Sequence, residues 1–257
     1  MKSIKLVPVM SLLVPAIASA QPEPSDTSAS FDHPVAPVSQ AFEISVGAGY
    51  TQGAGKLGGN LGSLEDAAGA GATVEIDLGY RIIPELSVGA YGTFAGYQQG
   101  DHVTGDNNVL GASAGVQAAW HFRPDRSVDP WVKLGTGWKG LWIDPSNGKT
   151  TSLQGLELAR LQLGADYRIT RDVAIAPVIG GSLSMFVSQN SPATSGYEEI
   201  HDKKLNFEGF AGVAGRFDLG GSSASSKRTA SRTTPSDRDA TAYDQFSWID
   251  AAYAVNH

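Results

Sequence analysis

The side chains best suited to ligating metal or moving protons at neutral pH are five histidines: His33, His102, His121, His201 and His257. No two stand at i and i+4, the spacing of a helical metal pair. His102 and His201 lie in different polar stretches near Asp101, Asp106, Glu198, Glu199 and Asp202. A cation site there would need two loops to meet, and solvated loop charge is the simpler reading. His121 borders a short connection and reads as a rim residue. A serine hydrolase site would need His and Ser at one outer rim, and the apolar faces carry no compact His-x-Ser pair. The Gly-rich patch at 55–59 lacks the strand–turn–helix context of a phosphate loop. The chain has no cysteine, so disulfide scaffolds, thiolate zinc sites and cysteine nucleophiles are excluded. No catalytic residue, metal or cofactor is expected, and the chain does not read as an enzyme.

A second set of reactive groups is more unusual. Glu43, Glu75, Asp77, Lys133, Lys139, Arg160, Asp166, Arg168, Glu208 and Arg216, with Asp218, are acids and bases set singly inside otherwise apolar or glycine-rich runs. Such groups can form mutual ion pairs if one face of each run gathers them, so the runs themselves matter.

Those runs alternate with period two. They cover 41–50, 69–81, 85–98, 109–122, 130–142, 154–169, 172–187 and 205–219. In the second, Ala72, Val74, Ile76, Leu78 and Tyr80 fall on one side, opposite Thr73, Glu75, Asp77 and Gly79. Runs of about ten residues or more have the length a tilted strand needs to cross a bilayer. Connections alternate too: short at 81–85, 123–130 and 170–172, longer at 51–68, 99–108, 143–153 and 188–204. This predicts an all-β fold: an eight-stranded antiparallel up-and-down transmembrane barrel over 41–219.

The flanks differ in texture. Residues 1–20 have a basic start, an apolar run and Ala18-Ser19-Ala20, the pattern of a cleaved secretory signal peptide. Residues 21–40 are rich in Pro and Ser and read as a flexible leader. Residues 220–257 read as a low-complexity periplasmic tail, with helical spacing at Phe246, Ile249 and Tyr253 near its end. The net charge of −7 argues against nucleic acid as a partner.

Alternation alone fits two barrels. A soluble lipocalin-like binding barrel of the periplasm keeps its apolar face inside, whereas a membrane barrel keeps it outside. The polar face favours the second. In the seventh run it is Ala174, Ala176, Val178, Gly180, Ser182 and Ser184, small residues that fit a narrow lumen. A Lys or Arg facing lipid at mid-depth costs roughly 2–4 kcal/mol, so the charged set belongs inside as a lumen network. Glu157 and Gln98 fall off the pattern and are expected beyond the bilayer on the loop side. In "PWVKLGTGWKGLW" (130–142), Lys133 and Lys139 then look inward, and Val132, Leu134, Trp138 and Trp142 look at lipid. Aromatics gather near the run ends: Tyr80, Trp120, Phe122, Tyr167 and Phe217 by the short turns, and Tyr50, Phe94, Trp138, Trp142, Phe186 and Phe207 by the long loops. Two aromatic girdles around an aliphatic band match the two membrane interfaces.

The signal peptide, the strands "ISVGAGY" and "LSVGAYGTFAGY", the alternating connections and the last strand "FEGFAGVAGRFDL" resemble small outer-membrane barrels, the outer membrane protein A transmembrane domain and the outer membrane protein W type. The resemblance covers about 41–219 and implies the outer membrane of a Gram-negative bacterium. It implies a monomer surrounded by outer-membrane lipid and lipopolysaccharide, with the barrel-assembly machinery as partner during insertion. It implies a non-enzymatic envelope protein presenting four surface loops, or alternatively a porin-like, narrow conduit for small or hydrophobic molecules. One departure is the 38-residue tail after Leu219, because such barrels often end at a terminal aromatic.

Overall fold

Each alternating run forms a strand. The computed structural model describes residues 32–58, 62–99, 107–145, 150–190 and 196–223. The signal peptide, the leader up to residue 31, the tail from residue 224 with Phe246, Ile249 and Tyr253, and His102 with Asp101 and Asp106 lie outside the described residues. The long strands are β1 (Ala41–Gly55), β2 (Ala68–Ile83), β3 (Leu86–Gln99), β4 (Asn107–His121), β5 (Val128–Pro145), β6 (Thr151–Arg168), β7 (Val173–Asn190) and β8 (Leu205–Leu219). Each pairs antiparallel with its neighbours in sequence, and β8 returns to β1 from Asn206↔Gly55 to Leu219↔Phe42. The sheet is therefore a closed eight-stranded barrel with no free long edge. No helix among the described residues is long and apolar enough to cross a membrane.

The barrel is apolar outside and charged inside. Phe42 is 64 % exposed and Val116 62 %, whereas Glu75, Asp77, Asp166 and Arg168 are buried. This overturns the soluble alternative, which needs the opposite arrangement. A large bare apolar surface in water would drive association; in hydrocarbon it is the correct solvent.

Alternation is interrupted once in β6. Leu158 and Ala159 both face outward, and the β6–β7 pairing shifts between Glu157 and Ala159. This β-bulge reverses the phase of the strand. Glu157, expected outside the bilayer, is consequently 1 % exposed inside the lumen. Gln98 stays on the exterior, near the loop end of β3.

Phe186 also corrects the expectation. It was placed in the loop-side girdle, yet it is 1 % exposed and inside the barrel. Its even number shares the phase of Ser182 and Ser184, which face the lumen. There it packs with Leu57, Leu64, Leu141, Leu153 and Ile200 into an apolar plug under the long connections. Leu64 reaches the plug on a one-turn helix, Leu64–Ala67, capped by Ser63, whose Oγ accepts from the Asp66 N–H at 3.2 Å.

The opposite end is closed by the chain itself. The described part of the leader, 32–40, is bonded to the barrel. Ser127 N donates to His33 O, His33 N to Ser127 Oγ and Val35 N to Asp125 O, all at 2.9 Å. Asp32 pairs with Arg123 at 2.6 Å. Val38–Ser39 then pairs antiparallel with Ser222–Ser223, beyond the end of β8. Pro and Ser content suggests flexibility, and in this structure hydrogen bonds to the 123–127 turn dock the segment.

Candidate functional site: the charged lumen

Inward-facing positions of all eight strands converge on the lumen, where side chains form two groups of ion pairs. Near the short-turn end, Arg81 Nε donates to Glu43 Oε1 at 2.7 Å, and an Arg81 Nη lies 3.1 Å from His121 Nε2. His121 Nδ1 lies 2.8 Å from Asp129 Oδ2. The Arg81 donor requires a lone pair on Nε2, so the imidazole proton is assigned to Nδ1, donating to Asp129. Arg216 pairs with Asp166, whose other oxygen accepts from Trp131 Nε1 at 3.0 Å. Arg216 Nε is also 3.5 Å from Asp218, and Arg168 Nη1 is 3.4 Å from the same carboxylate.

The second group lies toward the loops. Lys133 pairs with Asp77, and Arg160 pairs with Glu75. Gln162 Nε2 donates to Glu75 Oε2 at 2.9 Å. Glu157 takes the Tyr91 hydroxyl at 2.6 Å and Arg160 Nη1 at 3.4 Å. Lys139 Nζ and Tyr97 Oη both donate to Glu208 Oε2 at 2.8 Å. Two cations also lie over lumen rings: Lys133 is 4.9 Å from the Trp131 centroid and Arg160 4.8 Å from that of Tyr91.

All ten charged residues expected in the lumen line it. Sequence reasoning missed Arg81, His121, Asp129, Glu157 and the aromatics Tyr91, Tyr97 and Trp131. Arg81 and Asp129 were assigned to short connections, but β2 runs to Ile83 and β5 begins at Val128. His121, the last residue of β4, is buried. Inward aromatics could have been found from phase: Trp131 shares the odd phase of Lys133 and Lys139. Glycine makes room for them. A Cβ on Gly115 or Gly137 would come within 2.8 Å of the Tyr91 hydroxyl, and one on Gly164 within 2.3 Å of the Trp131 ring.

Chemically, the lumen stores paired charge. His121 Nε2 faces a guanidinium and is not placed to take a proton from a serine. His121, Asp129 and Asp166 place ligand atoms within 4.8 Å of one another, but Arg81 and Arg216 already supply the compensating positive charge. A void of about 40 Å³ between Glu43, Asp77, Gln117, His121, Lys133 and Arg216 has room for about two or three waters.

Outside, Tyr50, Phe94, Trp138 and Phe207 are exposed toward the loops, with Trp142 half-buried beside them. The Trp138 and Trp142 rings are 6.0 Å apart and lie over Gly140, where a Cβ would come 2.6 Å from Trp138. Tyr80, Trp120, Phe122, Tyr167 and Phe217 are exposed toward the short turns, and Phe42 meets Tyr80 edge-on at 5.2 Å.

No family model matches the sequence, and no curated protein matches it. Among solved structures, the strand arrangement is similar to that of Neisserial surface protein A, at 17 % identity over 68 % of this chain and 96 % of that one, with a TM-score of 0.47. It is similar to the outer membrane protein OprG from Pseudomonas aeruginosa, at 12 % identity over 71 % and 99 %, with a TM-score of 0.42. It is also similar to the outer membrane protein AlkL, at 11 % identity over 79 % and 99 %, with a TM-score of 0.42.

Proposed function

We propose that this chain is a monomeric, non-enzymatic barrel of the bacterial outer membrane that holds four loop-side connections outside the cell. The observation that carries the reading is the inverted polarity: an apolar belt outside and a paired, close-packed charge network inside. The belt fits outer-membrane lipid, and lipopolysaccharide would surround its loop-side rim. Insertion by the barrel-assembly machinery would use β8 with Phe217 and Leu219, although the chain continues past it.

The conduit alternative is disfavoured by the same geometry. Ion pairs and the apolar plug fill the lumen, and the register from β8 to β1 and from β8 to β7 leaves no lateral gap among the described strands. Purified protein should migrate differently on a gel before and after boiling, because a closed sheet resists detergent. In planar bilayers it should give no large, steady current. Identical migration with all protein in the soluble periplasmic fraction would overturn the membrane reading; steady porin-like conductance would establish the conduit instead.

A further inference from the structure

We infer that residues 32–40 form a lid over the short-turn mouth, and that the lumen is closed by two independent seals in series. The argument begins with position. At one end the segment bonds to the turn between β4 and β5, through Val35 to Asp125, His33 to Ser127 and the bridge Pro34↔Arg126. At the other end Val38–Ser39 pairs with Ser222–Ser223, beside the junction of β8 and β1. Those two places are four strands apart in a ring of eight, so they lie on opposite sides of the mouth. The segment between them must cross it.

Burial agrees with that path. Arg81 and Asp129 sit near the last rungs at this end and Ser127 just before β5, where an open mouth would wet them, yet each is 0 % exposed. Val38 is also fully buried. The lid is joined to the barrel over a much shorter span than the strands are to one another. Its contacts with the 123–127 turn include three backbone-donated hydrogen bonds and one solvent-accessible ion pair, whereas each barrel seam carries more than ten registered pairs. Pro34 and Pro37 carry no N–H and cannot extend the pairing. Gln40, where lid meets barrel, is the one non-glycine residue with left-handed backbone among the described residues, at φ 54°. Across from it, Gly220 and Gly221 have φ 74° and 90°. The change in chain direction at these residues separates a lid that can lift from a sheet that cannot.

Lifting the lid would not open a pore. Behind it lies the charged chamber, and behind that the apolar plug around Phe186 and Leu57. The released state is a blind polar chamber whose outer wall, including Ser87, is open to the aqueous phase from the short-turn side alone.

The test uses the absence of native cysteine. Ser87 is buried and lines the chamber with His121 and Arg216, so Ser87→Cys reports access. In full-length protein in lipid vesicles, labelling by a small charged thiol reagent should be slow. Adding Asp32→Ala with Val35→Pro, which removes the ion pair and one hydrogen bond, should speed it more than tenfold. Asp32→Ala alone, which removes the partly exposed ion pair and keeps the Val35 hydrogen bond, should give an intermediate rate even if the double variant fails to fold. Gel migration before and after boiling verifies the closed barrel in each case. Unchanged labelling in folded variants overturns the lid. Steady conductance on lid release alone overturns the second seal.

Discussion

Arg216→Met should lower the unfolding free energy by roughly 3–5 kcal/mol, the cost of breaking a buried ion pair by removing one partner. Arg216 touches Asp166, Asp218 and, at 3.8 Å, Glu43. Glu43 keeps Arg81 and Asp218 keeps Arg168, but Asp166 is left with the Trp131 N–H and a histidine 3.9 Å away. The uncompensated charge on Asp166 therefore dominates the loss. Arg216→Met combined with Asp166→Leu should recover most of it, since replacing both partners removes the orphan. Urea titration of vesicle-embedded protein, followed by tryptophan fluorescence, measures both. A single variant as stable as the wild type would mean that Arg216 does not hold the network together.

The second large effect separates two adjacent residues of β6. Leu163 faces outward, opposite Val132 and Ile179, and Gln162 faces inward, bonded to Glu75. Leu163→Lys puts a charge into the belt near mid-strand and should cost roughly 2–4 kcal/mol. Gln162→Lys puts the same charge beside a buried carboxylate and should fold close to normally. Folding free energies in lipid vesicles decide. Equal tolerance at both positions would mean that the exterior face does not meet hydrocarbon.

Strand existence and facing were legible because burial repeats every two residues, and that period survives wherever a strand stays in phase. Leu163 and Gln162 were readable for this reason. Glu157 was misplaced because a bulge moves the phase by one residue, and the only trace in "LQGLELARLQL" is the polar set passing from odd to even positions between Glu157 and Arg160. Phe186 was misplaced for the opposite reason: its phase pointed inward, but its aromatic character suggested an interface. The lid was illegible because its bonds run through backbone N–H and C=O groups, which every sequence has. Arg81 and Asp129 were hidden by strand ends that extend past the apparent turns, and His121 by its place beside one of those turns. Long-range partners such as Arg160 and Glu75 were readable as a set, not as pairs, since pairing across a lumen depends on strand stagger.

The pairing of Val38–Ser39 with Ser222–Ser223 leaves both flanks of the barrel side by side on one rim. The closed ring then has no geometric beginning. A circular permutant with residue 38 joined to residue 223 through a short linker, and new termini cut within the Thr170–Asp172 turn, keeps every rung of the sheet while making β7 the first strand and β6 the last. Its native-state stability should match that of the parent barrel trimmed to residues 38–223, whereas its insertion in cells would present a different closing strand. Comparing the two separates what holds the ring shut from what delivers it to the membrane.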